Sequence, residues 1–263
     1  MELGTRLEAV VNMTKAAKCI ADIGCDHGFV SIALVQRNLA ESVIACDVKK
    51  GPLEGAKEHV AAAGLKDKID CRLADGLMGL NENEADGIII AGMGGPLGLR
   101  ILYDGREKLN AAKQIILQIQ SKQALVRYVL DEWDFNIVSE EMVTEDGKYY
   151  VLLNLEVPKE PGGKIRIEEA ENFEDYLKRK EEELSGKSIA EQADYTYGAD
   201  LISKKSPVLL AFLEKEEERL LSVAEKLSES GEENSESSLN ALGRLNTEID
   251  ILMNAKWRIC GGY

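Results

Sequence analysis

Residues Cys19-Ile20-Ala21-Asp22-Ile23-Gly24-Cys25-Asp26-His27-Gly28 carry the most informative pattern in this chain. A short apolar run enters a turn that contains two glycines, and a helical pattern follows the turn. A second apolar run, Ser42 to Cys46, ends in Asp47. A strand, a glycine turn, a helix and a second strand with a terminal carboxylate are typical of a nucleotide site on a parallel sheet.

The spacing of the glycines indicates which nucleotide the turn suits. A dinucleotide site needs the pattern G-x-G-x-x-G, whereas here three residues separate Gly24 from Gly28 and one of them is Asp26. Carboxylates in the turn would repel a pyrophosphate, but they suit a cationic cofactor without phosphate, such as S-adenosylmethionine. The turn therefore predicts a methyltransferase and argues against an NAD-dependent dehydrogenase.

Short apolar runs alternate with amphipathic segments of helical length from residue 19 to about residue 155, which indicates a parallel sheet covered on both faces. The step from Glu145 to Lys148 reads as a hairpin turn, so an antiparallel strand should end the sheet. The pattern predicts the seven-stranded, Rossmann-like sheet of class I methyltransferases. Predicted strands cover 19–23, 43–47, 69–73, 86–91, 114–119, 136–143 and 149–156, and predicted helices cover 4–15, 29–39, 52–63, 96–110 and 122–133.

Aspartates follow three successive predicted strands. Asp22 could hold the amine of the cofactor's methionyl group, Asp47 its ribose hydroxyls, and Asp75 its adenine amino group. Each aspartate could instead only shape its own turn, which this residue type does well. Three of them at neighbouring strand ends favour a binding site.

The fourth predicted strand runs into a second glycine turn, Gly92-Met93-Gly94-Gly95. Such a turn brings open backbone close to a flat or bulky group. No polar side chain followed by two prolines stands here, so backbone and Met93 are expected to line the pocket beside the transferred methyl group. His27, in the first turn, is equally well explained as a ligand contact and as a residue that hydrogen-bonds the backbone of its own turn.

Pro158, Pro161, Gly162 and Gly163 interrupt the alternating pattern. We therefore predict a cofactor-binding domain at residues 1–158 and a helical domain at residues 159–263. Leucines recur every seven residues at 213, 220 and 227, a polar turn follows at 231–238, and a second helix carries apolar residues at 242, 245, 249 and 252. These features predict an antiparallel, coiled-coil-like helical hairpin, either a brace or dimer contact or an arm that grips a large substrate.

The composition limits the choice of partners. The formal net charge of −15 taken alone argues against nucleic acid, although residues 1–50 carry six acidic and six basic side chains. The five cysteines are widely spaced and form no C-x-x-C pair, which argues against disulfides and a zinc site, and no metal is expected. No long apolar run or signal peptide is present, which predicts a cytoplasmic protein that does not enter a membrane.

Several short motifs together resemble the bacterial tRNA (adenine-N1)-methyltransferases that act at tRNA position 22. The similarity extends through Tyr197-Gly198 and Pro207-Val208 into the helical tail. The sequence departs from the family pattern at Cys25 (usually Ser), at Gly28-Phe29 (Ala-Tyr), at Asp47 (Glu) and at Ile119 (Pro). The motifs are Arg6-Leu7, Ala21 to His27, Gly51-Pro52, Asp75 to Leu77, Ala91 to Gly95 and Glu145 to Tyr150.

The resemblance implies S-adenosylmethionine as cofactor, tRNA as partner and adenine N1 as methyl acceptor. That nitrogen carries a lone pair and no hydrogen, and its methylation yields a cation, so the enzyme needs positioning and nearby negative charge more than a strong base. Asp26, helped by His27, is the candidate for that role, and Arg6, Gly94 and Gly95 are candidate substrate contacts. The candidate cofactor-binding residues are Asp22, Gly24, Cys25, Asp26, His27, Asp47, Val48, Asp75, Gly76, Gly92 and Met93.

Two other functions stay open from sequence. A methyltransferase for a small metabolite fits the acidic net charge better than an enzyme for tRNA does. A non-catalytic module that binds RNA or protein in a cofactor-dependent way would need the same glycine turn and the same aspartates.

Overall fold

The computed structural model describes residues 3–168, 171–229 and 236–262. Helices and strands alternate through the first part of the chain, and helices alone follow. The elements are α1 (Thr5–Met13), β1 (Ala17–Ile23), α2 (Phe29–Gln36), β2 (Ala40–Asp47), α3 (Lys50–Ala62), β3 (Ile69–Leu73), β4 (Gly87–Met93), α4 (Gly95–Asp104), β5 (Gln114–Ile119), α5 (Gln123–Glu132), β6 (Asn136–Glu145), β7 (Lys148–Glu156), α6 (Pro161–Lys164), α7 (Phe173–Ser185), α8 (Ile189–Ala193), α9 (Ala199–Ser203), α10 (Pro207–Glu229) and α11 (Glu236–Ile259).

The seven strands form one sheet in the order β3-β2-β1-β4-β5-β7-β6. The first five strands are parallel, and β7 is antiparallel to both β5 and β6. The predicted hairpin lies at Asp146 and Gly147, which both have positive φ (49° and 74°), as a tight turn between twisted strands requires. The seven-stranded, Rossmann-like sheet with an antiparallel final hairpin, predicted from sequence, is thereby confirmed.

The centre of the sheet is apolar on both faces because helices cover it on both sides. Residues from four neighbouring strands are at most 1% exposed, among them Ile20, Ile89, Ile116 and Leu152, and they pack in one cluster with Val10 of α1. Parallel strands of this kind have nearly continuous apolar sequences, which is the pattern that predicted them. This rigid centre fixes the strand ends that carry the candidate residues.

The chain divides into two compact units, residues 1–180 and 181–263. The first unit extends past the Pro/Gly-rich stretch at residues 158–163, because residues of α7 pack against α4 and against Trp133, which follows α5. Phe173 contacts the ring of Tyr103 with 5.7 Å between centroids, and Tyr176 stacks on Trp133 at 6.1 Å. The domain boundary predicted between residues 158 and 159 stays a prediction. The first compact unit ends at residue 180, within α7.

The second unit is helical and contains the two long amphipathic helices predicted from sequence, α10 and α11. Leu213 and Leu220 of α10 are buried, as are Leu245 and Leu252 of α11. The sequence predicts a polar turn at residues 231–238. Residues 231–235 lie outside the described residues, and residues 236–238 belong to α11 rather than to a turn.

Two further findings concern only the described parts of the chain. No helix there is long and apolar enough to cross a membrane. No group of three or more His, Cys, Asp or Glu side chains could hold a metal ion there.

Candidate active site at the carboxyl ends of the strands

A cavity of about 460 Å³ opens where the parallel strands end at their carboxyl edge. The glycine turn after β1 forms one side, and the segments after β2, β3 and β4 form the rest. Twelve of the fourteen residues predicted from sequence line this cavity. They are Arg6, Asp22, Gly24, Cys25, Asp26, His27, Asp47, Val48, Asp75, Gly76, Gly92 and Met93.

The glycine turn is tied to the end of β2. The backbone N–H groups of Gly24 and Cys25 both donate to the carbonyl oxygen of Cys46, at 2.8 and 2.9 Å. Gly24 has a φ of +74°, and a Cβ on it would lie 2.4 Å from Cε of Met93. The positive φ favours glycine here, whereas the terminal methyl group of the flexible Met93 side chain could move aside.

Asp47 is held rigidly at the end of β2. Its Oδ2 accepts the backbone N–H of Asp26 at 3.1 Å, and its Oδ1 accepts that of Lys49 at 2.8 Å. The residue is 8% exposed. Each carboxylate oxygen retains a free lone pair, so the group can accept two hydroxyl hydrogens of a diol without losing its backbone partners.

Asp22 is the most deeply buried acid of the cavity, at 3% exposed. Its Oδ2 accepts the hydroxyl hydrogen of Ser31 at 2.6 Å. Burial raises its pKa to about 6, and the charge of Asp47 acts in the same direction. A buried carboxylate in an open cavity suits a cationic ligand, because a neighbouring positive charge would relieve the cost of its ionisation.

Asp22→Asn should change how stability depends on pH. Because the folded-state pKa of Asp22 lies above its value of 3.8 in an unfolded chain, ionisation costs stability progressively from about pH 4 to about pH 6 and fully above it. Asparagine removes this cost, so the variant should gain up to about 3 kcal/mol relative to the native chain between pH 4 and pH 7. Urea unfolding without ligand at both pH values measures the gain. Parallel pH profiles of the two proteins would contradict the account.

Asp26 and His27 lie at the mouth of the cavity. Their side chains are 72% and 49% exposed, and His27 Nε2 lies 3.8 Å from Asp26 Oδ1. The neighbouring Cys25 is buried, and burial strongly raises the pKa of its thiol, so it is a packing residue without nucleophilic character. The exposure of Asp26 leaves its carboxylate free to face a substrate that covers the cavity.

The third predicted aspartate is also placed at the edge of the cavity. Asp75 is exposed and precedes a short 3₁₀ turn at Gly76–Gly79. Gly76 has a φ of +52°, and Ile101 approaches it closely. Val48, 62% exposed, lines the same cavity. The adenine contact predicted for Asp75 stays a prediction.

Gly94 and Gly95 do not belong to the described lining of this cavity. Gly94 precedes α4, and Gly95 is its first residue. A Cβ on Gly95 would lie 2.5 Å from the carbonyl oxygen of Ser121 and 2.7 Å from Cγ2 of Val126. Close packing of α4 therefore explains Gly95 without a substrate, and the role of both glycines in substrate binding stays a prediction.

Gln118 is a functional candidate that the sequence reasoning missed. It is fully buried near the end of β5, and its Oε1 accepts both the backbone N–H of Gly92 and Nη1 of Arg6, each at 3.0 Å. The guanidinium of Arg6 also lies over the ring of Tyr150, 5.6 Å from its centroid. Gln118 thus fixes both the second glycine turn and the position of Arg6.

Gln118→Leu should lower the free energy of unfolding by about 1–3 kcal/mol, because the N–H of Gly92 loses its acceptor. Gln114→Leu is the matched control, since Gln114 lies on the same strand, is buried, and exchanges two hydrogen bonds with Lys15 at the amino edge. Urea unfolding should show similar losses for both variants, whereas only Gln118→Leu should lower the activity of the candidate site. Equal residual activities would mean that Gln118 is only structural.

The sequence reasoning also missed an aromatic group beside the turn. His59 Nδ1 lies 2.9 Å from the carbonyl oxygen of His27, and its ring stacks on Phe29 at 4.8 Å. Leu97 and Gln120 line the cavity from the segments after β4 and β5. Gln120 could have been expected at this edge, because β5 is predicted to run parallel to the strands before it. The stacking of His59 on Phe29 could not, because it depends on how α2 and α3 pack.

The charges of the lining favour a cationic or neutral ligand. Four aspartates (22, 26, 47 and 75) face the cavity, against two basic residues, Arg6 and Lys49. The excess of carboxylates would repel the pyrophosphate of a dinucleotide. The turn also lacks the glycine spacing that binds a pyrophosphate. The geometry therefore fits an adenosine-containing cation, with a diol at Asp47 and a positive group near Asp22.

Comparisons with known proteins agree with this geometry. A family described as "Methyltransferase domain" matches residues 3–153. The tRNA (adenine(22)-N(1))-methyltransferase of Bacillus subtilis (strain 168) is 35% identical over 153 residues, which cover 58% of this chain. The chain spans 64% of the length of that curated relative.

Solved structures match nearly the whole chain. A putative tRNA (m1A22) methyltransferase of Streptococcus pneumoniae has a TM-score of 0.76 and 30% identity, and the match covers 97% of this chain and 100% of that one. Its complex with S-adenosyl-L-methionine matches with a TM-score of 0.74, 29% identity and the same coverage. This chain therefore belongs to the family of the bacterial tRNA (adenine-N1)-methyltransferases.

Proposed function

We propose that this protein transfers a methyl group from S-adenosylmethionine to N1 of an adenine in tRNA, at position 22. The observation that carries the proposal is the cavity that gathers carboxylates from the ends of β1, β2 and β3 around a glycine turn. The names of the relatives supply the substrate and the position, and the charges of the cavity support the cofactor.

The residues present fit the cofactor at three points. Asp47 is fixed by two backbone N–H groups and can accept from both ribose hydroxyls. Asp22 offers a buried carboxylate to the positive methionyl end. Asp75 and Val48 line the same cavity and are the candidates for the adenine end of the cofactor. When bound, S-adenosylmethionine supplies an electrophilic methyl group, and the positive charge ends on the methylated adenine.

The residues at the cavity mouth prepare the acceptor. Adenine N1 needs no prior deprotonation, so positioning and exclusion of water can supply most of the catalysis. Arg6, held by Gln118 and Tyr150, borders the space beside Gly92 where the base would enter. Asp26 then faces a ring that gains positive charge, and its carboxylate stabilises that charge once the substrate displaces water. Because N1 lies on the pairing edge, a paired target base must be unstacked first.

The helical unit supports a tRNA-binding role less directly. Three basic side chains of this unit, Lys204, Lys256 and Arg258, pair with carboxylates. Lys205 and Arg244 form no ion pair within the described ranges. We propose that α10 and α11 form an antiparallel coiled coil that presents such positions to RNA, and that the protein acts in the cytoplasm, where tRNA is modified.

Truncation after Ser185, which keeps α7 entire, should separate the two roles. The truncated protein should bind S-adenosylmethionine normally, because the cavity uses no residue beyond Gln120. Its affinity for tRNA should fall at least tenfold, because remote phosphate contacts are lost. Calorimetry with both ligands on the same preparation measures this. Unchanged tRNA affinity with full activity would mean that the helices do not bind RNA.

A methyltransferase for a small metabolite is the second candidate, and the net charge of −15 favours it. Methyl transfer from labelled cofactor to an unmodified tRNA transcript and to adenosine distinguishes the two. The proposed function predicts efficient transfer to tRNA and poor transfer to the nucleoside, since truncated substrates lose the binding energy of remote contacts. Equal turnover of both substrates would favour the second candidate.

A further inference from the structure

A second cavity, of about 710 Å³, lies in the first unit and shares no lining residue with the candidate active site. Its walls come from the ends of α4 and α5 and from residues 162–180. Because α4 and α5 begin at the carboxyl edge of the sheet, their last turns lie at the opposite, amino edge. The second cavity is therefore remote from the methyl-transfer chemistry.

The second cavity is basic in a chain that is strongly acidic. Five basic side chains and two acidic ones, Glu132 and Glu168, contribute to its lining, whereas the chain as a whole carries −15. The candidate active site has the opposite balance, with four aspartates and two basic residues. The basic residues of the second cavity are Arg106, Lys164, Arg166, Arg179 and Lys180.

Internal ion pairs neutralise three of these five cations. Lys180 pairs with Glu132 and Lys164 with Asp134, each at 2.7 Å. Arg179 pairs with Glu171 at 2.8 Å through two hydrogen bonds. These pairs hold the walls of the cavity in place and use up the neighbouring carboxylates.

The two remaining guanidinium groups have no such partner. Arg106 donates to the backbone carbonyl of Tyr103 at 2.7 Å and lies over the ring of that tyrosine, 4.7 Å from its centroid. Arg166 is exposed. Neither arginine forms an ion pair with a carboxylate in the part of the chain that the structure describes.

The two guanidinium groups of this cavity retain donors for a ligand. Arg106 uses one N–H group on the carbonyl oxygen of Tyr103, and Arg166 is exposed. Five N–H groups belong to each guanidinium, so both can donate further hydrogen bonds. A ligand rich in acceptors and negative charge would accept them.

We propose that the second cavity binds the phosphate group of a nucleotide, either free or within an RNA chain. A guanidinium matches two phosphate oxygens with two parallel hydrogen bonds, which makes Arg106 and Arg166 the main ligands. The rings of Tyr103, Trp133 and Tyr176 form an apolar wall beside them. This inference is independent of the function proposed above, because it concerns another edge of the sheet.

The test uses the full chain with the first cavity saturated by S-adenosylhomocysteine. Uridine monophosphate and an unmodified tRNA transcript are the two probes, and calorimetry measures their affinities. The variant is Arg106→Gln with Arg166→Gln. The matched control is Lys66→Gln with Lys113→Gln, which removes two exposed charges that line neither cavity.

A free-nucleotide site predicts that uridine monophosphate binds the native chain and loses at least tenfold affinity only in the double arginine variant. A site for RNA predicts no measurable binding of the mononucleotide and at least a fivefold loss of tRNA affinity in the same variant. Affinities for both probes that equal those of the lysine control would overturn the proposal. Unchanged affinity for S-adenosylhomocysteine shows that the double arginine variant is folded and that the first site is intact.

Discussion

Asp26→Asn should lower the single-turnover rate of methyl transfer to tRNA about ten- to a thousandfold, the usual effect of losing one preorganised charge-stabilising group. Asparagine keeps the shape of the side chain, so only the electrostatic contribution is lost. The backbone N–H of Asp26 would still donate to Asp47, and the affinity for S-adenosylmethionine should therefore change little. Rapid-quench measurements at saturating cofactor give the rate.

The control for this variant is Asp146→Asn. Asp146 has a φ of 49°, close to the 50° of Asp26, and it lies exposed in the hairpin turn between β6 and β7. The control should react at the native rate. If Asp26→Asn also reacts at the native rate, Asp26 has no part in the chemistry. A joint fall of cofactor affinity and thermal stability would mean that Asp26 only shapes the glycine turn.

Asp47→Ala should weaken binding of S-adenosylmethionine by about 1.5–3 kcal/mol, which is roughly a ten- to hundredfold loss of affinity. The variant loses the acceptor for the ribose hydroxyls. It also frees the N–H groups of Asp26 and Lys49, so the glycine turn loses its fixed position. Calorimetry with the cofactor and with S-adenosylhomocysteine measures both affinities.

The matched control is Asp86→Ala. Asp86 accepts the backbone N–H groups of Cys19 and Lys18, at 2.9 and 3.4 Å, at the amino edge of the same sheet. Both variants should lose stability, because each leaves two N–H groups without a carboxylate. Cofactor affinity should fall only in Asp47→Ala, and an equal affinity in the two variants would disprove the assignment of Asp47 to the ribose.

Much of the candidate active site was predictable because, in a parallel sheet, the end of every strand lies at the same edge. Asp22, Asp47 and Asp75 therefore had to lie near one another once the strands were recognised. The spacing of Gly24 and Gly28 then argued against a dinucleotide and in favour of a cationic cofactor without phosphate. The parallel direction of the first five strands was predictable because helical segments of crossover length separate them.

The missed features depend on contacts between segments that are far apart in the chain. Gln118 gains its role only because β5 lies beside β4 and α1 brings Arg6 to the same oxygen. The close packing of Gly95 likewise depends on distant segments, because its nearest neighbours are Ser121, in the loop before α5, and Val126 of α5. The second cavity combines residues between 103 and 180, and no local motif marks it.

Position-resolved mass spectrometry of a methylated tRNA transcript tests the central proposal most directly. The purified protein is incubated with S-adenosylmethionine and an unmodified transcript, and the nuclease fragments are sequenced. The account predicts one added methyl group, on N1 of the adenine at position 22, and none when that adenine is replaced by guanine. A methyl group at another position, or none on any tRNA by a protein that binds the cofactor, would contradict the account.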